Sequence, residues 1–207
     1  MILEMMQKRR SIRRFKPEVP SDADILKLIE AAVAAPSAAN KQPWRFLIAK
    51  KKKHFELIAK AVNNARQKYL SLLSPEYRSE FEHYSVNFMN FQNAPVIIIP
   101  IYRSFQGISA MLKEKPPEKE VFFLRSYEHD TALMSVSLAV QNILLISEAI
   151  GLGACCMTGP LIAKADIERC LHVPEGWQIA AFISVGYPDE APSDPGRKKL
   201  ELVTRWL

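Results

Sequence analysis

Apolar residues along this chain come in blocks set apart by prolines and charge. Ser21, Asp22 and Asp24 precede Ile25, Leu26, Leu28, Ile29, Ala32 and Val33, a cap with early acids followed by an apolar stripe. That pattern predicts a helix ending before Pro36. Residues 44–49 (WRFLIA) predict a short strand whose following lysines form a solvated exit. Residues 52–73 are amphipathic at helical spacing, and Pro75 breaks them from a second helical segment over residues 76–92. That segment repeats aromatics at Phe81, Tyr84, Phe88 and Phe91, a stripe whose ordinary explanation is packing. Residues 94–102 (APVIIIPIY) are continuous and β-branched, the pattern of a buried strand. Residues 103–127 are polar, lysine-rich and broken by proline, and predict a loop or lid. A long helix is predicted from about Asp130, with residues 151–160 (GLGACCMTGP) as its glycine-rich exit. A short helix over 165–171 and a strand over 177–188 follow, then a proline-rich tail that alternates again at 200–203. With no repeat and no linker, residues 1–207 predict a single α+β domain.

Composition changes this picture little. Hydrophobic residues at 48% and charged residues at 24% are globular values. Residues 131–150 are apolar over the length of a membrane span. They contain Gln141, Asn142, Glu148 and three serines, however, so a buried core helix, apolar nearly all round, is expected instead. The N-terminus shows no apolar signal-peptide core, and the three cysteines Cys155, Cys156 and Cys170 form neither a disulfide framework nor a metal spacing. A reducing cytoplasmic setting and no metal are the corresponding expectations.

The net charge of +6 is unevenly placed: six cations lie within residues 8–16, four at 50–53 and three at 197–199. A nucleic-acid binder carries such charge on a recognisable module, and none is legible here, so a small anionic ligand is the better expectation. Four short stretches could carry chemistry. Arg9, Arg10, Ser11 and Arg13 offer guanidinium forks and a hydroxyl to a phosphate, or form only a solvated arm. Residues 35–44 (APSAANKQPW) combine a helix stop, small residues and the amides of Asn40 and Gln42, suited to a heterocycle edge or to a polar loop. Around Thr158 and Gly159, successive backbone N–H groups can converge on one acceptor or simply cap the helix. The neighbouring Cys155 and Cys156 read better as small buried hydrophobes than as a redox pair. Arg197, in DPGRKK, can complete a phosphate site or lie on a solvated basic turn. No nucleophile elbow, Walker loop or dinucleotide fingerprint is present, and the four histidines sit in no motif. Such a chain, if an enzyme, borrows its chemistry from a cofactor.

Taken together, these stretches resemble the FMN-dependent nitroreductase family over nearly the whole chain. RRSIRRF resembles its flavin-phosphate motif, and APSAANKQPWRFLIA its proline-serine-x-x-asparagine-x-glutamine-proline-tryptophan signature. NAPVIIIP resembles the strand entry, residues 129–155 the core helix with its glycine exit, and VGYPDEAP with the later GRKKLE the C-terminal end. The resemblance implies a mixed or antiparallel sheet flanked by helices and a homodimer with one FMN at each of two sites on the subunit interface. Arg9, Arg10 and Ser11 would hold the phosphate and ribityl end, closed by Arg197, with Arg13 at the N1 and O2 edge of the ring. Pro36, Ser37, Ala38, Asn40 and Gln42 would come from the partner subunit. Cys156, Met157, Thr158 and Gly159 would lie along one flavin face, the Thr158 backbone N–H near N5. Residues 192–207 would pack on the partner. Two departures stand out: Thr158 occupies a position that is acidic in some relatives, and Asn63, Asn64 and Lys68 are candidates for a further asparagine and lysine.

The function so implied is an NAD(P)H oxidoreductase that reduces nitroaromatics, quinones or activated enones as small-molecule acceptors. Reductive dehalogenation, with Glu80, Glu82 and Tyr84 clamping a zwitterion, and oxidative flavin fragmentation are the alternatives within the fold. A basic nucleic-acid-binding module is the remote one.

Overall fold

The structure is a computed structural model and describes residues 2–105, 107–114 and 116–207. Gln106 and Lys115 of the expected loop lie outside the described residues. The chain begins with a helix the sequence pattern missed, α1 (Ile2–Lys8), which has no buried residue and therefore no apolar periodicity to read. α2 (Asp22–Val33) starts where expected: the Ser21 hydroxyl accepts the Asp24 N–H at 3.1 Å, an N-cap that satisfies one of the free first-turn donors. β1 (Trp44–Ala49) follows, then α3 (Lys52–Leu72) and α4 (Pro75–Ser85), the latter opening on a proline whose missing N–H is harmless there. The expected second helical segment thus divides at Ser85, and its remainder tightens into a 3-10 helix, Val86–Asn93.

β2 (Val96–Tyr102) is the spine of the sheet, buried along its whole length. Val96 and Ile98 face one core with Ile25, Leu28, Val136 and Ile143. Ile97, Ile99 and Ile101 face the other with Ile58, Val62 and Ile167. Side chains alternate along a strand, so covering both faces demands a run with no polar position. The five strands are completed by β3 (Gly153–Met157), β4 (Gln178–Ile179) and β5 (Phe182–Gly186). Their order is β1-β2-β5-β3, with β4 continuing the β2 edge at Ile101 and Tyr102, and every pair is antiparallel. This is an α+β fold with an antiparallel sheet between two helical layers, within the expected class.

Three expectations change. The long helix α5 (Glu118–Ala149) begins well before Asp130, so residues 118–127 are helical and not loop. Its first turns carry Phe122, Phe123 and Tyr127 largely exposed, so no burial stripe announces them. α5 is also not buried all round. Ala132, Val136, Ala139 and Ile143 pack inward, whereas Met134 and Leu138 on another side are exposed. By length and composition alone it is apolar enough to cross a bilayer, but its inward face belongs to the core of this domain. Lastly, residues 153–157 are a strand where a glycine exit was expected. Its sequence GACCM carries no β-branched residue, and pairing with β5 from Gly153–Gly186 to Met157–Phe182 fixes it instead. α6 (Lys164–Cys170) closes the second layer against α3.

Candidate active site

The N-terminal arm reaches the edge of the sheet beside β3. Ser11 forms a parallel bridge with Ala154, and the Ile12 N–H donates to the Ala154 carbonyl at 3.1 Å. Gly153 is required there, because a Cβ would come within 2.8 Å of Ile12. Ile12 is buried, so the residues on either side of it are turned toward solvent and the C-terminal segment.

This placement gathers the predicted cations. Arg9, Arg10, Ser11 and Arg13 form one wall of a cavity of about 180 Å³, and Pro192, Ser193, Pro195 and Arg197 form the other. Two of the three charge clusters, distant in sequence, therefore meet at one hollow. The third, residues 50–53, lies apart from it at the start of α3, where Lys50 pairs with Asp22. Arg10 is already engaged: its Nη1 donates to the Gln7, Lys8 and Arg9 carbonyls at 2.5, 3.0 and 3.0 Å, and its Nη2 stands 3.5 Å from Asp194. Arg10 thus braces the wall while contributing its charge. Arg9, Arg13 and Arg197 supply the further positive field. Lys8, Arg14 and Lys16 are exposed and line this hollow nowhere among the described residues.

A second, more open cavity of about 340 Å³ adjoins it. Its floor is Cys155, Cys156, Met157 and Gly159, and its far wall is Tyr84, Asn87, Phe88 and Asn90 from α4 and the following 3-10 helix. Arg13 lines both cavities, so it stands at their junction. The walls join an edge-to-face aromatic pair, Tyr84 and Phe88 with centroids 5.3 Å apart, to two amides. The Asn90 amide donates to the Asn87 side-chain oxygen at 3.3 Å. Such a surface suits a flat heterocycle, by stacking and by mixed donors and acceptors.

Cys155 is buried, and burial pushes its thiol upward, against the pull of Arg13, a hydrogen bond with Ser11 and the charge of Arg9. It stays a neutral thiol, in keeping with the packing role expected of it. Cys156 is exposed on the cavity floor instead, contrary to that expectation. Thr158 is exposed next to the floor but does not line it among the described residues.

Residues 36–42 form a separate feature. Pro36, Asn40 and Gln42 are exposed, Ser37 and Ala38 half-buried, and none of them lines either cavity of this chain. The segment is tightly wound: Ala39, Asn40 and Gln42 have φ of 48°, 52° and 47°. The Ser37 hydroxyl accepts the Gln42 N–H at 2.9 Å, the Ser135 hydroxyl of α5 accepts the Ala38 N–H at 3.4 Å, and the Gln42 amide donates to Asn40 at 3.3 Å. Left-handed backbone is ordinary for Asn40 but costs free energy at Ala39 and Gln42, and strain of that kind clusters at functional sites. Asn63, Asn64 and Lys68 sit exposed on α3 and line neither cavity.

Sequence reasoning missed the opposite wall of the anion cavity, Pro192 to Pro195, and two carboxylates beside it, Glu190 and Asp194. Only Arg197 carried a signal there. It also missed Asn87 and Asn90, polar residues within a stripe read by its aromatics.

The chain belongs to the Nitroreductase family, whose model matches residues 6–187. Over all of this chain and 97% of its own length, the iodotyrosine deiodinase of Thermotoga neapolitana is 27% identical to it. A putative NADH dehydrogenase/NAD(P)H nitroreductase of Methanothermobacter thermautotrophicus is 30% identical, over 97% of this chain and 86% of that protein. Among solved structures, a BluB-like flavoprotein from Clostridium difficile 630 superposes with a TM-score of 0.88. It is 26% identical, covering all of this chain and 99% of that one.

Proposed function

We propose that this chain is an FMN-dependent oxidoreductase that takes reducing equivalents from NADH or NADPH and delivers them to small electron-poor acceptors such as nitroaromatics, quinones or activated enones. The observation that carries this reading is the position of Arg13 between a basic cavity and an open aromatic and amide face. The basic cavity is large enough for a phosphate, and its donors are guanidinium groups and a hydroxyl, which fits the phosphate end of a flavin mononucleotide. The adjoining face accepts a flat ring. The residues present therefore fit FMN.

Bound FMN supplies the two-electron redox chemistry, and the chain contributes binding, orientation and electrostatics. Arg9, Arg197 and the Ser11 hydroxyl hold the phosphate, with Arg10 as brace. Arg13 places a fixed cation at the edge of the ring, where negative charge grows on reduction, and so favours the reduced state. Cys156, Met157 and Gly159 form the floor. The wound loop of Ser37, Ala38, Asn40 and Gln42 lines neither of these two cavities among the described residues, and it serves the site of a second copy in a homodimer. The exposed Met134 and Leu138 of α5, and the exposed Leu200, Leu202, Val203 and Trp206 of the tail, give that copy apolar surface to cover. The kinship with a deiodinase raises reductive dehalogenation as the competing activity. Of the three clamp candidates Tyr84 lines the open cavity, whereas Glu80 and Glu82 are exposed and, among the described residues, no carboxylate is in its lining to meet the ammonium group of a zwitterion.

The test is direct. Purified protein is expected to be yellow or to take up added FMN stoichiometrically, and to oxidise NADH or NADPH with nitrofurazone as acceptor. A colourless protein that fails to bind FMN overturns the reading. Flavin-bound protein that turns over a halotyrosine and ignores nitrofurazone replaces it with the dehalogenase.

A further inference from the structure

The end of the predicted flavin-binding arm, at Arg13 and Arg14, is fastened by a carboxylate from near the opposite end of the chain. Glu190 Oε1 accepts the backbone N–H of Arg13 at 2.5 Å and that of Arg14 at 3.0 Å, and Oε2 lies 3.3 Å from Arg14 Nε. On either side the strands lock: the Lys16 N–H donates to the Tyr187 carbonyl at 2.9 Å and the Asp189 N–H to the Arg14 carbonyl at 3.0 Å. The Arg13 carbonyl is taken as well, by the Asn93 amide at 3.4 Å. Both backbone groups of Arg13 are thus satisfied by groups remote in sequence. Among the described residues its guanidinium donates to the Ser11 carbonyl at 3.3 Å. The backbone is fixed and the side chain is left at the junction of the two cavities.

Of the two charges in the Glu190–Arg14 pair, the acid is the shielded one: its side chain is 16% exposed against 73% for Arg14. A carboxylate held among N–H donors is a stronger acceptor than a neutral group. Its carboxyl is held below the ordinary glutamate range, chiefly by the Arg13 N–H, with burial opposing and the Arg14 N–H and charge assisting. It is therefore ionised at neutral pH. Lys8, Arg10 and Glu148 face the same hollow, so the local field is mixed and the backbone bonds set the position.

We infer that Glu190 is a positioning residue for the flavin site: by holding the Arg13 and Arg14 amides it aims the Arg13 guanidinium at the ring edge, and it acts through Arg13 alone. This inference rests on the flavin reading above. It assigns the site a residue that touches no ligand.

The experiment is a double-mutant cycle on the flavin-loaded protein, read by FMN affinity from fluorescence titration and by the flavin midpoint potential. Glu190→Gln keeps shape and one acceptor oxygen but removes the charge. It is expected to weaken FMN binding by roughly tenfold, the scale of one charge-assisted hydrogen bond, and to lower the midpoint potential as Arg13→Ala does. In the Arg13→Ala background, Glu190→Gln is expected to change neither quantity further, whereas with Arg9→Ala the two losses should multiply. A merely structural Glu190 would lower the melting temperature and leave the potential of bound flavin unmoved, and that result overturns the inference. So does a Glu190→Gln protein that binds FMN as the parent does, or losses that multiply with Arg13→Ala. Absence of FMN binding in the parent protein would instead sink the flavin reading itself, and this inference with it. A ligand-free check uses amide hydrogen exchange: protection at Arg13 and Arg14 should fall in Glu190→Ala, which removes both acceptor oxygens, and unchanged protection refutes the clasp.

Discussion

Asp194 stands 3.5 Å from the guanidinium of Arg10, a cation in the wall of the basic cavity, so that cation already has an anionic partner within the chain. Arg10 is mostly shielded and Asp194 mostly exposed, at 20% and 66%. An incoming phosphate competes with that carboxylate for the same cation. Asp194→Asn preserves the oxygen that accepts the Gly196 N–H at 2.9 Å and removes the charge. Exposed ion pairs are worth up to about 1 kcal/mol, so FMN affinity is expected to rise by roughly two- to fivefold. Titrations at two salt concentrations check this, the gain shrinking at high salt. Weaker binding would make Asp194 a brace for the cavity wall and not a competitor.

The wound loop after α2 stores strain. Ala39 has φ of 48°, a conformation that costs an L-residue about 1–2 kcal/mol and glycine almost nothing. Ala39→Gly relieves this but loosens the unfolded chain by about 0.4–1 kcal/mol. The balance is a stabilisation of up to about 1.5 kcal/mol, measurable by denaturant unfolding. A clear loss of stability would show that the Ala39 methyl group packs usefully and that the loop is not strained there.

Why the site was partly legible in the sequence follows from which residues had to carry their own signal. Arg9, Arg10, Ser11 and Arg13 cluster within one short stretch, and charge density is visible without a structure. β2 was legible because burial on both faces leaves no polar position. β3 was not, since GACCM is held by its pairing with β5 and needs no intrinsic strand preference. The start of α5 escaped because Glu118 to Tyr127 shows its aromatics to solvent. Glu190 and Asp194 escaped for another reason: each is an ordinary acid in a proline-rich tail, and its role exists only once residues 9–14 lie beside it.

The loop ahead of α5 is held by Glu128, which accepts the N–H groups of Gly107 and Ser109 at 2.8 and 3.0 Å and the Ser109 hydroxyl at 2.9 Å. Burial pushes this carboxyl up, but the bonds from Ser109 and Gly107 together outweigh it and hold the group below its ordinary value of 4.5. A carboxyl depressed in the folded state contributes stability above its unfolded pKa, and loses it as pH falls through the folded one. Protection of the Gly107 and Ser109 amides is therefore expected to persist at neutral pH and to fall below about pH 4.5. Glu128→Gln should flatten that dependence. Amide exchange across the acid range decides it, and pH-independent protection would remove Glu128 from the account.

If the outward side of α5 meets a second copy, charge placed there should separate the two. Met134 and Leu138 are exposed at 68% and 44% in the single chain. Leu138→Glu is expected to yield a folded monomer that no longer retains FMN, because the loop of residues 37–42 then serves no site. Light scattering with flavin absorbance measures both. A monomer that keeps FMN would show that one chain suffices, and an unchanged dimer would place the interface elsewhere.

The open face depends on one close approach. A Cβ at Gly159 would lie 2.4 Å from Phe88 Cδ1 and 2.8 Å from Cγ, so Gly159→Ala forces the ring to move. Phe88 is wedged edge-to-face against Tyr84, with 87° between the rings, and cannot shift without disturbing the far wall. Overpacking of this kind costs about 1–3 kcal/mol of stability. Gly159 and Phe88 both line the face that accepts the flat ring, so FMN binding should weaken together with the acceptor's kcat/KM, while the anion cavity, which shares no residue with this contact, is kept. Adding Phe88→Leu removes the obstructing ring edge and should recover stability in the Gly159→Ala background, although the same change alone would leave a void. Recovery in the double variant, read by thermal unfolding beside nitrofurazone kinetics, would tie Gly159 to Phe88. Purely additive losses would mean that Gly159 is needed for its backbone instead.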